Sequence, residues 1–190
     1  MTFKELTDKN RSHREFASGA SIPTELLTEW ISNANHSPAA MNLQALKYII
    51  LSDKDDVSRI LPLTRWATSL SIKLPPDDHG PAAFIVMLHD TDIAPIKSIF
   101  MIDVGIAAQT IMLSATEAGF GGCIIGSAAE DDIRNALSLP KNLCPVLLLG
   151  LGLPEDEIVL TTADGGVKYY RDENNVHYVP KRPLEEIIIK

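Results

Sequence analysis

Basic and amide side chains that could bind a phosphorylated ligand occur in separated stretches of the chain. Arg11 and Arg14 lie near the predicted end of the first helix, and Lys181 and Arg182 lie near the other end of the sequence. Each charge-assisted hydrogen bond from such a side chain contributes about 1.5–3 kcal/mol, so two or three of them suffice for a dianionic phosphate. Asn42 can both donate and accept hydrogen bonds, as ligand hydroxyl groups and heterocyclic rings require.

Each of these stretches also has a purely structural explanation when it is taken alone. The basic run at 11–14 is typical of a solvated helix terminus, where the helix dipole favours positive charge. Asn42 is typical of a turn that an asparagine side chain caps. The function therefore has to be argued from several motifs together and from their order along the chain.

Familiar nucleotide-binding and nucleophile motifs do not fit this sequence. The stretch Gly119–Gly122 follows a predicted helix and precedes a strand, which is the reverse of the order in a dinucleotide-binding turn. Gly150–Gly152 does follow a strand, but Pro154, Glu155 and Asp156 place acidic groups where a phosphate would lie. The phosphate-binding P-loop pattern GxxxxGK[ST] and the nucleophile pattern GxSxG do not occur in the sequence. No metal is expected, because no pair with metal-ligand spacing is found among the histidines at 13, 36, 79, 89 and 177.

Alternating helical and extended patterns predict an α/β or α+β fold. The apolar runs at 82–88 and 144–150 indicate strands, and the first should be buried on both faces. The longest predicted helix, at 96–118, carries several small residues. They suit a helix that is buried or lies at an interface, or they are simply good helix formers. Further helices are predicted at 3–10, from Pro23 to about 34, and at 53–61, 64–72 and 130–137. Further strands are predicted at 46–51 and 121–125. Roughly the last 30 residues look irregular, apart from a strand at 167–170 and a short closing element at 183–189.

Composition indicates one globular domain over residues 1–190. Of the 190 residues, 45% are apolar, and area scaling allows about 70% of the surface to be buried. The net charge of −8 argues against nucleic-acid binding. Cys123 and Cys144 form no CxxC motif and suit a reducing compartment. The charged residues at 1–9 predict no signal peptide, and 93–113 is too polar for a membrane span, so we expect a cytoplasmic protein without a membrane partner.

Four stretches, at 10–16, 37–44, 118–126 and 179–184, together resemble the nitroreductase family of FMN-dependent oxidoreductases. Their order and spacing match over nearly the whole chain. The resemblance implies an α+β, nitroreductase-like FMN-binding fold in which helices flank a central mixed sheet. It also implies an intertwined homodimer with FMN at the interface, and the long predicted helix with its small residues suits such an arrangement.

In the first stretch, Arg11, Ser12, Arg14 and Phe16 match the family pattern Arg-Arg-Ser-x-Arg-x-Phe, and Asn10 replaces its first arginine. The resemblance implies that the matching cations bind the FMN phosphate. A basic residue from the last stretch could compensate for the missing arginine.

In the second stretch, Pro38, Asn42 and Gln44 match the pattern Pro-Ser-x-x-Asn-x-Gln-Pro-Trp, while Ala39 replaces the serine and 45–46 lack Pro-Trp. In the family this loop lies against the ribityl chain and ring, and a backbone N–H in the third stretch points at flavin N5. By position that donor is the backbone of residue 126. The cofactor-binding residues implied by the resemblance are Arg11, Ser12, Arg14, Pro38, Ala39, Ala40, Asn42, Gln44, Ile124, Ile125, Gly126, Lys181 and Arg182.

The resemblance implies a ping-pong reaction in which NAD(P)H reduces FMN and a small electron-poor acceptor, such as a nitroaromatic or a quinone, then takes the hydride through flavin N5. No side-chain acid or base is required for this chemistry. Alternatives within the fold are dehalogenation, azoline oxidation, flavin breakdown and non-catalytic flavin binding. A flavin-free binding module with surface arginines is a further alternative. Trp66 and Phe100 suit either a substrate pocket or the core.

Overall fold

The computed structural model describes residues 1–189. Its helices and strands alternate over most of the chain, as the sequence predicts. The helices are α1 (Phe3–Lys9), α2 (Thr24–Asn35), α3 (Lys54–Ile60), α4 (Ser98–Glu117), α5 (Glu130–Ala136) and α6 (Leu184–Ile187), with short 3-10 turns at Ala40–Asn42 and Leu61–Leu63. The strands are β1 (Leu46–Leu51), β2 (Ala83–Asp90), β3 (Gly121–Ile125), β4 (Leu143–Gly152), β5 (Ile158–Thr162), β6 (Tyr170–Arg171) and β7 (His177–Lys181).

Four strands form a central sheet in the order β1-β2-β4-β3. The middle strand β2 is covered on both faces, as predicted, because Phe84, Ile85, Val86 and Met87 are all fully buried. The expected mixed pairing is not found in this sheet, since every pair of neighbouring strands is antiparallel. Long apolar runs resemble those of parallel strands, but here they arise because helices cover both faces of an antiparallel sheet.

One face of the sheet is covered by α2 and α4. Leu27 and Trp30 of α2 pack with Ile111 of α4 in one buried cluster. Ala108 and Ala115 of α4 are fully buried in the same cluster. Ala107, Ala108 and Ala115 therefore serve close packing in the core, whereas Gly105 and Ala118, also small, are exposed.

The outer side of α4 remains apolar. Ile99, Ile102 and Ile106 are exposed to 51%, 60% and 37%. The expectation that 93–113 is too polar for a membrane span is wrong for this helix, which by length and composition could cross a membrane; however, 44% of its most apolar window is buried inside the protein. Its partial burial is the pattern of a core helix that keeps one apolar stripe on the surface.

The opposite face of the central sheet is covered by α3, α5 and the segment around Trp66. Phe16, Ile60 and Ile133 are fully buried there. Gly152 at the end of β4 lies directly against the Phe16 ring, because a Cβ at this glycine would lie 2.6 Å from Phe16 Cδ1. This close approach fixes the N-terminal segment against the sheet.

The helix predicted at 64–72 does not form. The Thr64 hydroxyl donates to the Leu61 carbonyl (2.6 Å) and accepts from the Trp66 indole N–H (2.7 Å), so local side-chain bonds replace helical ones. Ala67 then takes a left-handed conformation with φ of 42°, which a helix does not allow. The segment is therefore a series of turns.

The C-terminal region is more regular than predicted. β5 and β7 pair in parallel and β6 joins β7 antiparallel, giving a small mixed sheet. The strand expected at 167–170 is the two-residue β6. His177 at the start of β7 is buried, and its Nδ1 has no hydrogen-bond partner within residues 1–189. Burial, together with the charges of Arg14 and Arg171, lowers the pKa of His177 to about 4.

We predict that Gly152→Ala lowers the free energy of unfolding by about 1–3 kcal/mol, because the new methyl group overlaps the buried Phe16 ring. Gly166→Ala is the matched control, since a Cβ there meets no atom within 4 Å. Urea unfolding of both variants provides the measurement. Equal midpoints for the two variants would contradict this account of the Phe16 contact.

We predict that His177 makes the protein less stable as the pH falls from about 6.5 towards 4. The unfolded chain takes up a proton at the ordinary histidine pKa, whereas the folded chain does so only near pH 4, so protonation favours unfolding in this window. Urea unfolding at pH 7 and pH 5 should show a smaller loss of stability for His177→Gln than for the unchanged protein. Identical losses would exclude the effect.

Candidate functional site

Residues 12–16 follow the edge of the central sheet. Ser12 forms a β-bridge with Gly122, and the backbone N–H of His13 donates to the Gly122 carbonyl at 2.9 Å. Phe16 forms a second bridge with Pro154, just beyond β4. This pairing carries the segment along β3 and places Arg14 beside that strand.

Arg14 and the end of β3 line one pocket of about 300 Å³. Arg65 supplies a second guanidinium, and none of the described lining residues is acidic. The pocket is therefore electropositive although the whole chain carries a net charge of −8. The other lining residues, apolar or polar but uncharged, are Trp66, Ala67, Thr68, Cys123, Ile124, Ile125, Gly126, Ser127 and Tyr169.

The Arg14 side chain is partly fixed by protein contacts. Its guanidinium lies 5.6 Å from the centre of the Tyr169 ring, and Nη1 donates to the Ser12 carbonyl at 3.0 Å. Its Nε is buried and has no hydrogen-bond partner in the described part of the chain. A buried N–H of this kind is costly unless a ligand accepts from it. Cys123 beside it is 6% exposed, and burial raises the pKa of its thiol.

The second predicted stretch forms an exposed, tightly wound loop. Met41, Asn42 and Gln44 all have positive φ values, between 51° and 55°. The Ala40 N–H donates to both carboxylate oxygens of Asp103 on α4, each at 3.0 Å. Several residues held in left-handed conformations cost free energy, and such strain is frequent at ligand sites.

The loop at 38–44 and the Arg14 pocket lie apart within one chain. The loop leads into β1 at one edge of the sheet, whereas Gly126 follows β3 at the other edge. Neighbouring strands are about 4.8 Å apart, so three steps separate these edges by about 14 Å. Pro38, Ala39 and Gln44 instead line a separate hollow with Asp103 on the α4 side. One chain therefore presents two groups of predicted residues and does not join them.

The other predicted cations do not line the Arg14 pocket. Arg11 is half-buried, and burial lowers its pKa. Ser12 is exposed beside it. Lys181, at the end of β7, is exposed, and so is Arg182, which forms an ion pair with Glu186 at 3.0 Å.

Asn10, which replaces the first arginine of the family pattern, bonds to α4. Its Nδ2 donates to the Met112 carbonyl (3.0 Å) and to Thr116 Oγ1 (2.8 Å), both on α4. Its Oδ1 accepts from Gln109 Nε2 at 3.0 Å. The Asn10 amide thus holds the N-terminal segment on α4, which is a structural contact.

Sequence reasoning did not identify Arg65, Ser127 or Tyr169 as pocket residues. Arg65 falls in the segment predicted to be helical, and Tyr169 falls in the short strand predicted at 167–170, within a region expected to be otherwise irregular. No motif marks either residue, because tertiary packing alone brings them to Arg14. Phe100 is buried with Ala45 in the core, whereas Trp66 packs in the core and also forms a pocket wall.

A larger depression of about 810 Å³ lies on the other side of Trp66. It is lined by the segments at 17–21, 52–64 and 73–82, and it contains none of the predicted cofactor-binding residues. Lys54 and Lys73 are balanced there by Asp77 and Asp78. The smaller pocket is therefore the better candidate for binding an anionic ligand.

Comparison with known proteins gives a consistent assignment. The Nitroreductase family model matches residues 8–153. The Bacillus subtilis protein named "Putative NAD(P)H nitroreductase YdgI" is 23% identical over 187 residues, covering 82% of this chain and 90% of its own length. A nitroreductase family protein from Clostridium novyi has a similar structure, with a TM-score of 0.69, 29% identity, and coverage of 81% of this chain and 87% of the other. One from Streptococcus pneumoniae gives a TM-score of 0.72 at 17% identity over 100% of both chains. From its sequence motifs, its α+β fold and these matches, the chain belongs to the nitroreductase family.

Proposed function

We propose that the protein is an FMN-dependent oxidoreductase that uses NAD(P)H to reduce nitroaromatic or quinone-like acceptors in a ping-pong reaction. The observation that carries this proposal is the pocket that holds Arg14, Arg65 and the backbone of Gly126 without a described acidic residue. The names of relatives that refer to NAD(P)H nitroreductase or NADPH-dependent oxidoreductase support it. We also propose that residues 1–190 form a single FMN-binding domain.

The residues of the pocket fit an anionic flavin. Arg14 Nε, which has no hydrogen-bond partner among residues 1–189, can donate to a ligand, and Arg65 adds a second positive charge. The pocket volume of about 300 Å³ is at the lower end for small-molecule sites, so one chain supplies part of the enclosure. When bound, FMN supplies a ring that can accept a hydride from NAD(P)H and deliver it to an acceptor.

The protein's own groups would bind, orient and shield the cofactor. Gly126 offers a backbone N–H without a side chain in the way, which suits a donor aimed at a ring nitrogen. The guanidinium groups of Arg14 and Arg65 would stabilise negative charge on a bound ring or phosphate. Trp66 and Ile125 are buried apolar walls that restrict water.

We further propose a homodimer in which the loop at 38–44 of one chain completes the Arg14 pocket of its partner. The separation of these two groups within one chain requires such an arrangement if both bind one FMN. Met41 in the loop is 81% exposed, and the loop is bonded to α4, the helix that carries the exposed Ile99, Ile102 and Ile106. Apolar surface of this kind is typical of an interface.

A cytoplasmic location is also proposed. Its support is that Cys123 and Cys144 are both free thiols. Reduced cysteines suit the cytosol, where NAD(P)H is available.

The purified protein should be yellow with a flavin spectrum, should bleach with NAD(P)H without oxygen, and should recover its colour with a quinone.

Arg14→Ala should lower FMN affinity by about ten- to a hundredfold, because one charge-assisted contact is lost. Arg59→Ala, an exposed cation on α3, is the matched control. A colourless protein with no affinity for added FMN would reject the proposal, and a yellow protein that NAD(P)H does not bleach would reject its enzymatic part.

Mixing two defective chains tests whether the site is shared. Arg14→Ala and Asn42→Ala homodimers should each bind FMN weakly. In their co-expressed heterodimer, the Asn42→Ala chain supplies an intact Arg14 pocket and the Arg14→Ala chain supplies an intact loop, so one of the two sites is intact. About a quarter of all sites should then regain full affinity in a random mixture. The control pair, Arg14→Ala with Arg65→Ala, leaves a defect in every site and should regain none. Failure of the first pair to recover would contradict the shared site.

A further inference from the structure

Asp156, just before β5, is buried next to the segment that carries Arg14. Its side chain is 1% exposed. Oδ2 accepts a hydrogen bond from the backbone N–H of Arg14 at 3.0 Å, and Oδ1 lies 2.7 Å from Nδ1 of the His13 ring. One carboxylate therefore holds two consecutive residues of the N-terminal segment.

The same carboxylate connects this segment to the C-terminal sheet. Arg171 on β6 places Nη2 3.6 Å from Asp156 Oδ2, while its Nη1 donates to Glu15 Oε2 at 3.4 Å. The Arg171 side chain is only 7% exposed. Two carboxylates thus balance the buried guanidinium, and the contacts tie residues 13–15 to β6.

The C-terminal sheet also supplies the aromatic surface under Arg14. Tyr169, just before β6, lies beneath the Arg14 guanidinium, and its ring centre is 5.2 Å from that of His177 on β7. Asp156 and Tyr169 therefore restrain opposite ends of Arg14, one at the backbone and the other at the guanidinium. Both residues lie beyond the stretch at 8–153 that the family model matches.

We propose that Asp156 is a positioning residue for the cofactor pocket, because it fixes the Arg14 backbone so that the guanidinium lies over Tyr169 and faces the ligand. This inference rests on the proposed function, in which Arg14 binds FMN. Asp156 does not line the pocket, so it would act on the ligand through Arg14, the lining residue whose backbone it bonds. Its carboxylate supplies the acceptor for the part-buried backbone N–H of Arg14.

The side-chain chemistry separates two substitutions at this position. Asp156→Ala leaves the Arg14 N–H without its acceptor and frees the segment to shift. Asp156→Asn keeps one acceptor oxygen for that N–H, and its amide N–H₂ can donate to His13 Nδ1 when the imidazole carries its proton on Nε2. Asparagine should therefore preserve the position of Arg14 although it removes the charge.

A double-mutant cycle on the full-length chain tests the inference, with FMN affinity measured by flavin fluorescence and folding by circular dichroism. Asp156→Ala should weaken FMN binding about tenfold, whereas Asp156→Asn should stay within about threefold of the unchanged protein. In the Arg14→Ala background, Asp156→Ala should change the affinity by less than about twofold, because its effect passes through Arg14. Glu155→Ala, which removes a neighbouring carboxylate bonded to His79, is the control and should bind FMN normally.

The outcomes distinguish the inference from the proposed function. If Arg14→Ala binds FMN like the unchanged protein, the role of Arg14 in the proposed function is wrong and the inference falls with it. If Arg14→Ala binds weakly but Asp156→Ala binds normally, or if the two effects simply multiply, only the positioning role is overturned. If Asp156→Ala does not fold, Asp156→Glu replaces it in the cycle, since the longer side chain displaces the carboxylate, and normal FMN binding by that variant overturns the inference.

Discussion

The pairing of residues 12–16 with the edge of the central sheet is the constraint on which the site depends. Two glycines make it possible, because a Cβ at Gly121 would lie 2.7 Å from the His13 ring and one at Gly152 would overlap Phe16. Without this close approach the N-terminal segment could not lie on β3. Arg14 would then not reach the end of that strand, and the electropositive pocket would lose one of its two cations.

Much of the fold follows from the sequence because strong local patterns agree with burial. The continuous apolar run of β2 is buried on both faces, as its pattern predicts. The failures have local causes. Thr64 and Trp66 form side-chain bonds that end the helical pattern. In β5 and β7 no strict alternation of buried and exposed residues occurs, so no period-2 pattern marks them as strands. Strand direction in the central sheet was not readable from hydrophobicity, since antiparallel strands covered on both faces look like parallel ones.

The candidate site was predictable only in part. Arg14 and Gly126 belong to recognisable motifs, and the structure brings them to one pocket. Arg65 and Tyr169 reach that pocket through tertiary packing from segments without a motif, so the sequence alone could not place them there. Asp156 illustrates a different difficulty. In the sequence alone, this acidic residue argues against phosphate binding, whereas in the structure it accepts a hydrogen bond from the backbone of Arg14.

Trp66 separates the electropositive pocket from the larger depression behind it. The second tryptophan of the chain, Trp30, is buried on the opposite face of the sheet among α2 and α4. The two indoles therefore report on different halves of the molecule. Emission from Trp66 is a natural optical probe of either cavity, and Trp30 provides an internal reference within the same spectrum.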